Sequence, residues 1–353
     1  MTPDLYRVAV VGATGVVGST MLEILRERRF PAHEVVPFAS ARSAGRELDH
    51  GLVVRTLTDE AITGFDLALF SAGAGVSREW APRFVADGAV VVDNSSAFRG
   101  DLEVPLVVTE VNPQELERHR GIVANPNCST MQMVVALKPL HDEAGIERLV
   151  VSTYQAVSGT GQAAVDELLD QSHAILHEIA PPAARVYPKQ IAFNVIGGAG
   201  NFAQGDDYTD EERKMMWETR RILGDHAIGV SVTCARVPVV SGHSEAVNVQ
   251  TRERLDAARA RELLADAPGV SVLDEPAAHA HPSVLEAEGS DDIWVGRIRQ
   301  DFSHPRALNL WIVGDNLRKG AALNAVQIAE LLHGRRLLDG RARDPAAAAG
   351  RVT

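Results

Sequence analysis

Tyr6-Arg7-Val8-Ala9-Val10-Val11 runs without a break into Gly12-Ala13-Thr14-Gly15-Val16-Val17-Gly18. The first six residues are β-branched and apolar enough for a buried strand. The glycines that follow form a turn, and beyond them Val17, Met21, Ile24 and Leu25 share one side of an expected helix. Strand, glycine turn and helix are the setting in which glycines let backbone approach a pyrophosphate, which then rests on the helix N-terminus. The spacing here is Gly-x-x-Gly-x-x-Gly, a variant of the commoner Gly-x-Gly-x-x-Gly. Gly12, Ala13, Thr14, Gly15, Val16 and Gly18 are therefore candidate dinucleotide contacts, in an N-terminal α/β domain with a parallel sheet.

The next strands support this domain. One is expected over 34–39, followed by Ser40-Ala41-Arg42-Ser43. A site for NAD usually has an acid at that point to bind the ribose 2′-hydroxyl. Two hydroxyls and a guanidinium suit a 2′-phosphate instead, which favours NADP. Asp66–Phe70 and Ala89–Val92 read as further strands. Each ends in a polar or small-residue loop, Ser71-Ala72-Gly73-Ala74-Gly75 and Asp93-Asn94-Ser95-Ser96-Ala97-Phe98-Arg99. Ligands of open parallel sheets bind at the carboxyl ends of strands, so Ser71, Gly73, Asn94 and Arg99 enter the candidate site. Arg99 is a possible anion clamp.

Gly121–Ala124 reads as one more short strand, and Asn125-Pro126-Asn127-Cys128-Ser129-Thr130 opens an expected helix carrying Met131, Val134, Val135 and Leu140. Pro139 is expected to end or kink it. Cys128 thus falls at a helix N-terminus, where unbonded N–H groups and the helix dipole favour a thiolate. That makes it a candidate nucleophile.

Past Cys128 longer strand-like stretches appear, at Leu149–Tyr154 and over 231–249, with helices between them. They point to a second, α+β domain with a mixed sheet. Gln155–Gly161 is a glycine-bearing loop leading into an amphipathic helix with Val165, Leu168, Leu169, Ser172 and Ile175. The helix Asp210–Leu223 starts with a capping box of Thr209 and Glu212, and Glu211 and Lys214 share a face. Arg236 and His243 are seven residues apart, so on one flat strand they would point to opposite faces. A bend at Pro238 or Ser241-Gly242 is needed if both serve one pocket. Glu245 would share the His243 face.

The expected division is a cofactor domain over 1–127, completed by a helix at 321–340, and a catalytic domain over 128–320. The alanine-rich tail 341–353 is expected to be mobile. Composition excludes several classes. A net charge of −12 disfavours nucleic acid or an anionic membrane as partner, and no apolar segment is long enough to span a bilayer. Two cysteines, Cys128 and Cys234, make no disulfide framework, and no signal peptide is expected, because the first apolar run starts at once as a strand and breaks at Gly12. A cytoplasmic setting is expected. The pairs His173/His177 and His279/His281 lack a third ligand, so no metal is expected.

Taken together, the glycine turn, Asn94–Arg99, Asn125–Thr130, Gln155-Ala156-Val157-Ser158-Gly159, Glu211-x-x-Lys214 and Arg236 with His243 resemble the aspartate-semialdehyde dehydrogenase family, bacterial type, over essentially the whole length. The resemblance implies reduction of L-4-aspartyl phosphate by NADPH to L-aspartate 4-semialdehyde, with release of inorganic phosphate. It implies Cys128 as nucleophile, His243 as general acid/base and Gln155 as the residue positioning substrate. Arg236 is implied for the α-carboxylate, Glu211 for the α-ammonium, and Arg99 with Lys214 for the phosphate. Ser158, Gly159 and Asn316 are implied as late cofactor contacts, and a homodimer as the assembly. Two alternatives remain at this level. N-acetyl-glutamyl-phosphate reductase shares the chemistry, but its uncharged amine leaves Glu211 nothing to bind. A catalytically silent NADP-binding scaffold is the other.

Overall fold

The computed structural model describes residues 5–338. The chain divides into two units, one taking residues up to Pro126 together with those from Ala321 onward, the other Asn127–Gly320.

The first unit contains β1 (Tyr6–Val11), α1 (Val16–Glu27), β2 (Ala32–Ala39), β3 (Arg55–Thr56), β4 (Leu67–Phe70), α2 (Ala74–Ala86), β5 (Val90–Asp93) and β6 (Ile122–Ala124). Its strands are all parallel, in the order β3-β2-β1-β4-β5-β6. Alternate residues of β1 serve two cores. Tyr6, Val8 and Val10 pack with Met21, Ile24 and Leu25 of α1, whereas Ala9 and Val11 pack with Phe38, Phe70 and Phe84 on the other face. A parallel sheet covered on both faces by helices is the Rossmann-like arrangement expected from the first eighteen residues.

The second unit holds α3 (Cys128–Ala144), β7 (Ile146–Gln155), α4 (Gln162–Leu176), α5 (Asp210–Leu223), β8 (Gly229–Arg236), β9 (His243–Thr251), α6 (Ala257–Ala265), β10 (Val270–Val272), α7 (Val284–Ala287), β11 (Ile293–Gln300) and β12 (Ala307–Gly314). Its sheet is mixed, in the order β10-β11-β12-β9-β7-β8. On β7, Leu149, Val151, Thr153 and Gln155 are buried, whereas Arg148, Val150, Ser152 and Tyr154 alternate with them on a more open face.

Three local expectations need correction. Of the two outcomes expected at Pro139, an end or a kink, the end does not occur: α3 continues to Ala144, where Leu140 and Ala144 are buried and packing holds the last turn. Leu169 is 53% exposed; the buried stripe of α4 runs through Ala164, Val165, Leu168, Gln171 and Ala174 and leaves it at the edge. The last helix, α8, spans Asn324–Gly334 rather than 321–340. It follows a π-helical stretch, Arg318–Leu323, and stops ahead of Arg336, whose φ is +56°. The tail at 341–353 lies outside the described residues.

Candidate active site

In the first unit the glycine turn joins β1 to α1 beside the end of β4. Gly12 has φ +89°, and a Cβ there would lie 2.3 Å from the Ser71 carbonyl oxygen. A Cβ on Gly18 would lie 2.1 Å from the Gly12 oxygen, so only glycine lets α1 sit directly on the turn. The N-caps of α1 and α2 are Gly15 and Gly73, neither with a side-chain cap. Two helices therefore start at the carboxyl ends of adjacent strands without side-chain caps on their first N–H groups. That chemistry fits a pyrophosphate. Ala13, Thr14 and Val16 belong to the same turn. After β2, Ser40 precedes a short 3-10 turn, Ala41–Ser43, with Ser40, Ala41 and Arg42 exposed and no acid among them.

Beyond β5, the fully buried Asp93 accepts the Ser77 hydroxyl at 2.7 Å and the Ser95 hydroxyl at 2.7 Å, which shapes the loop that follows. In that loop the Arg99 Nη2 donates to the Asn94 carbonyl at 2.9 Å, and Asn94 Oδ1 accepts from the Asn125 amide at 2.6 Å.

The second unit brings together residues far apart in sequence. Asn127 is the N-cap of α3; its Oδ1 accepts from the N–H groups of Ser129 and Thr130 at 3.0 and 3.1 Å. Cys128 is therefore the first helical residue, and it is half-buried. Its Sγ lies 3.3 Å from Nε2 of His243. Register explains how His243 and Arg236 meet. β7 lies between β8, which is parallel to it, and β9, which is antiparallel. Gln155 ends β7 opposite Arg236 at the end of β8, and His243 starts β9 at the same edge. The chain bends at Pro238 and again at Ser241, as a shared pocket requires. Residues 237–242 form a loop between two strands, and both side chains turn to one place. A Cβ on Gly159 would lie 3.3 Å from both Arg236 Nη1 and His243 Nε2.

Gln155 donates from Nε2 to Ser129 Oγ at 2.6 Å and to Glu211 Oε1 at 3.2 Å. The same Glu211 oxygen accepts from Asn127 Nδ2 at 2.8 Å, and Lys214 lies 3.6 Å from Glu211 while donating to Asp210 at 2.9 Å. Arg236 is buried; its Nη1 donates to the Ala156 carbonyl at 2.7 Å, and its Nε has no partner among the described residues. A guanidinium edge of that kind suits a carboxylate. Asn316 accepts the Gly242 N–H at 2.8 Å and donates to Ser158 Oγ at 3.0 Å, bracing the loop before His243.

The His243 ring accepts the Ala156 N–H at Nδ1, 3.0 Å away. Burial above all, then the neighbouring Arg236 charge, lowers its pKa to about 3, with the Gly242 carbonyl pulling weakly the other way. Burial likewise pushes the Cys234 thiol well up, so the two cysteines are chemically distinct. Among the described residues no group of three or more His, Cys, Asp or Glu side chains could hold a metal, and no helix is long and apolar enough to cross a membrane.

Residues 7–119 match the family model for the semialdehyde dehydrogenase NAD binding domain, and residues 137–319 the one for the semialdehyde dehydrogenase dimerisation domain. The chain is 53% identical over 333 residues to aspartate-semialdehyde dehydrogenase of Aquifex aeolicus, covering 93% of this chain and 98% of the relative. The chain belongs to the aspartate-semialdehyde dehydrogenase family. Its relative from Legionella pneumophila is also 53% identical, over 92% of this chain and 95% of the other. Aspartate semialdehyde dehydrogenase II of Vibrio cholerae, solved in complex with ASA, superposes with a TM-score of 0.89 at 47% identity, over 93% of this chain and 98% of that one. This member of the family thus combines an NAD(P)-binding Rossmann-like unit with an α+β unit that carries Cys128, Gln155, Glu211, Arg236 and His243.

Four contributors escaped the reading of the sequence. Asn127, an asparagine just before a helix, carried an N-cap signal that could have been read. Ser129 was visible only as part of a motif. Glu218, on the same face of α5 as Glu211, is fully buried and accepts the Asn127 backbone N–H at 2.8 Å. The Ala156 amide carries no sequence signal at all.

Proposed function

We propose that this chain catalyses the NADPH-dependent reductive dephosphorylation of L-4-aspartyl phosphate to L-aspartate 4-semialdehyde. The reaction passes through a thioester on Cys128 and serves the biosynthesis of lysine and diaminopimelate, methionine, threonine and isoleucine. The observation that carries this reading is Cys128 at the start of α3, with its sulfur 3.3 Å from His243 and with Glu211 and Arg236 in the same unit.

Cys128 attacks the acyl carbon, and phosphate departs. Helix α3 supplies the positive field that favours the thiolate. Arg236 takes the α-carboxylate through its Nε edge, Glu211 takes the α-ammonium, and Gln155, held by Ser129 and Glu211, fixes the acyl group between them. His243 governs the hydrogen at the substrate oxygen. By resemblance, Arg99 with Asn94, and Lys214, serve the phosphate. When bound, NADPH supplies the hydride; the glycine turn with Ser71 and Gly73 would hold its pyrophosphate and Ser40–Ser43 its 2′-phosphate, and by resemblance Ser158, Gly159 and Asn316 contact it as well. NADP rather than NAD is supported by the absence of an acid after β2 and the presence of Arg42.

A homodimer is the proposed assembly. It is supported by the more open sheet face on which Tyr154, 38% exposed, lies against Trp311 at 5.5 Å between ring centroids. Sedimentation as a monomer at micromolar concentration would contradict it. The thiols of Cys128 and Cys234 support a reducing, cytoplasmic setting.

The deciding assay follows NADPH formation from aspartate semialdehyde and NADP with and without inorganic phosphate. Phosphate-dependent turnover is expected. A folded, NADP-binding protein inactive on this substrate would shift the assignment to the N-acetylglutamate analogue.

A further inference from the structure

From residue 177 to residue 209 the chain forms no helix or strand, yet side chains of α4 hold part of this segment in place. Glu167 and Gln171, one turn apart on α4, are both buried. Glu167 Oε2 accepts the backbone N–H of Arg185 at 2.6 Å and of Val186 at 2.7 Å, and Glu167 Oε1 that of Tyr187 at 3.4 Å. Gln171 Oε1 accepts from Ile191 at 3.0 Å and from Ala192 at 3.2 Å. Further on, the segment joins the edge of β8. The Ile196 N–H donates to the Arg236 carbonyl at 2.9 Å, and the Arg236 N–H donates to the Ile196 carbonyl at 2.8 Å. Backbone groups satisfied in this way fix an irregular stretch as firmly as a strand.

What the segment carries to the site is Tyr187. Its half-buried ring packs against the cluster that contains Val157, Val165, Leu168 and Ile191. Arg236 Cζ lies 5.9 Å from the centroid of that ring, and the phenolic hydroxyl donates to Thr160 Oγ1 at 2.9 Å. Thr160 ends the short turn Val157–Thr160, in which Gly159 stands against both Arg236 and His243. A guanidinium recognises a carboxylate through one edge of a plane, so a long arginine side chain serves well only when the plane is fixed. Nη1 of Arg236 is held by the Ala156 carbonyl at 2.7 Å, and one hydrogen bond leaves the plane free to swing about it. An aromatic ring beside the cation attracts it and blocks other orientations.

We propose that Tyr187 is the positioning residue for Arg236, holding the guanidinium plane so that its Nε edge meets a carboxylate close to Cys128. The proposal rests on the acyl-transfer reading above and deepens it, because it assigns the residue that sets selectivity for substrates bearing an α-carboxylate. Thr160 keeps the ring from turning away, and Glu167 and Gln171 act one step further back by fixing the segment.

The test uses the full-length protein and compares alkylation of Cys128 by iodoacetate and by iodoacetamide, followed by the mass of the Cys128 peptide. The two reagents differ in carrying a carboxylate or a neutral amide, and the fully buried Cys234 does not compete. The ratio of the two rates is expected to fall about fivefold in Tyr187→Ala and about twofold in Tyr187→Phe, which keeps the ring. In turnover, Tyr187→Ala is expected to raise KM for aspartate semialdehyde about tenfold and Tyr187→Phe about threefold, with kcat within about threefold and KM for phosphate unchanged. An unchanged rate ratio and KM overturn the proposal. So does a parallel loss in kcat and in every KM, the mark of a merely structural tyrosine. If Tyr187→Ala fails to fold, Tyr187→Phe, Thr160→Val and the double variant decide. The double variant is expected to raise KM no more than either single one, and additive effects overturn the proposal. Alkylation needs no substrate. Absence of phosphate-dependent turnover would therefore remove the reaction assignment while the rate ratio still judged Tyr187, and normal turnover with an unchanged ratio in Tyr187→Ala would remove Tyr187 alone.

Discussion

Replacing Glu245 by glutamine should change how stability depends on pH, and the structure gives the sign. Glu245 lies on β9 with its side chain fully buried, opposite Thr153 on β7 and Ile312 on β12. Among the described residues neither carboxyl oxygen has a hydrogen bond of good geometry, although the Gln132 amide is near enough to favour the anion. Burial dominates and raises the pKa well above the usual carboxylate range. The folded protein therefore keeps this proton, whereas the unfolded chain releases it above about pH 4.5. Stability from this group is full below that pH and falls as pH rises toward the folded pKa. One retained proton corresponds to about 1.4 kcal/mol for each pH unit between the unfolded and the folded pKa, a slope to be followed from about pH 5 upward. Glutamine has the same shape and no titration, so Glu245→Gln removes that slope. It also buries an amide with too few partners, a pH-independent cost of about 1–3 kcal/mol. The decisive quantity is thus the change with pH, not the offset. Urea unfolding of both proteins across this range measures it. A difference between them that stays flat with pH would refute the assignment of a buried neutral acid at Glu245.

His243 gives the opposite slope. Its folded pKa is lowered to about 3, so the unfolded chain binds the proton first and stability is lost as pH falls through the ordinary histidine range. In His243→Gln the acid side of the same urea profile should flatten. Cys128→Ala should abolish turnover while leaving NADP binding, followed by cofactor fluorescence, within about twofold; retained turnover would exclude the thioester. Asn127→Ala removes the cap of α3 and the contact to Glu211, and should lower stability by about 1–2 kcal/mol in chemical denaturation. It should also lower kcat more than it raises KM, because the nucleophile loses its support.

The elements readable from the sequence were those built by contacts between near neighbours. β1, the glycine turn and α1 follow one another within twenty-two residues, from Tyr6 to Glu27, and each is specified by local sterics and apolar spacing. The capping box of Thr209 and Glu212 closes over three residues, as does the cap of α3. Even these local rules yielded where packing was stronger. Pro139 sits inside α3, which Leu137 and Leu140 anchor by their burial, and Leu169 is exposed because tertiary contacts chose a neighbouring stripe of α4.

The residue types of the site were also legible: a cysteine at the start of a helix, a histidine, an arginine and an acid, each suited to one part of the chemistry. Their meeting was not. Gln155, Arg236 and His243 share one sheet edge because β8 and β9 both pair with β7, one parallel and one antiparallel. That register is chosen by which faces of three separated strands can be buried together, and a slip of one residue would turn His243 away. The His243 ring is held by a backbone amide, which every residue but proline possesses and no side chain announces. By itself the sequence determined which chemical groups and which local turns exist. Only the tertiary structure decided which of them face one another, because burial and strand pairing act between residues that the chain keeps far apart.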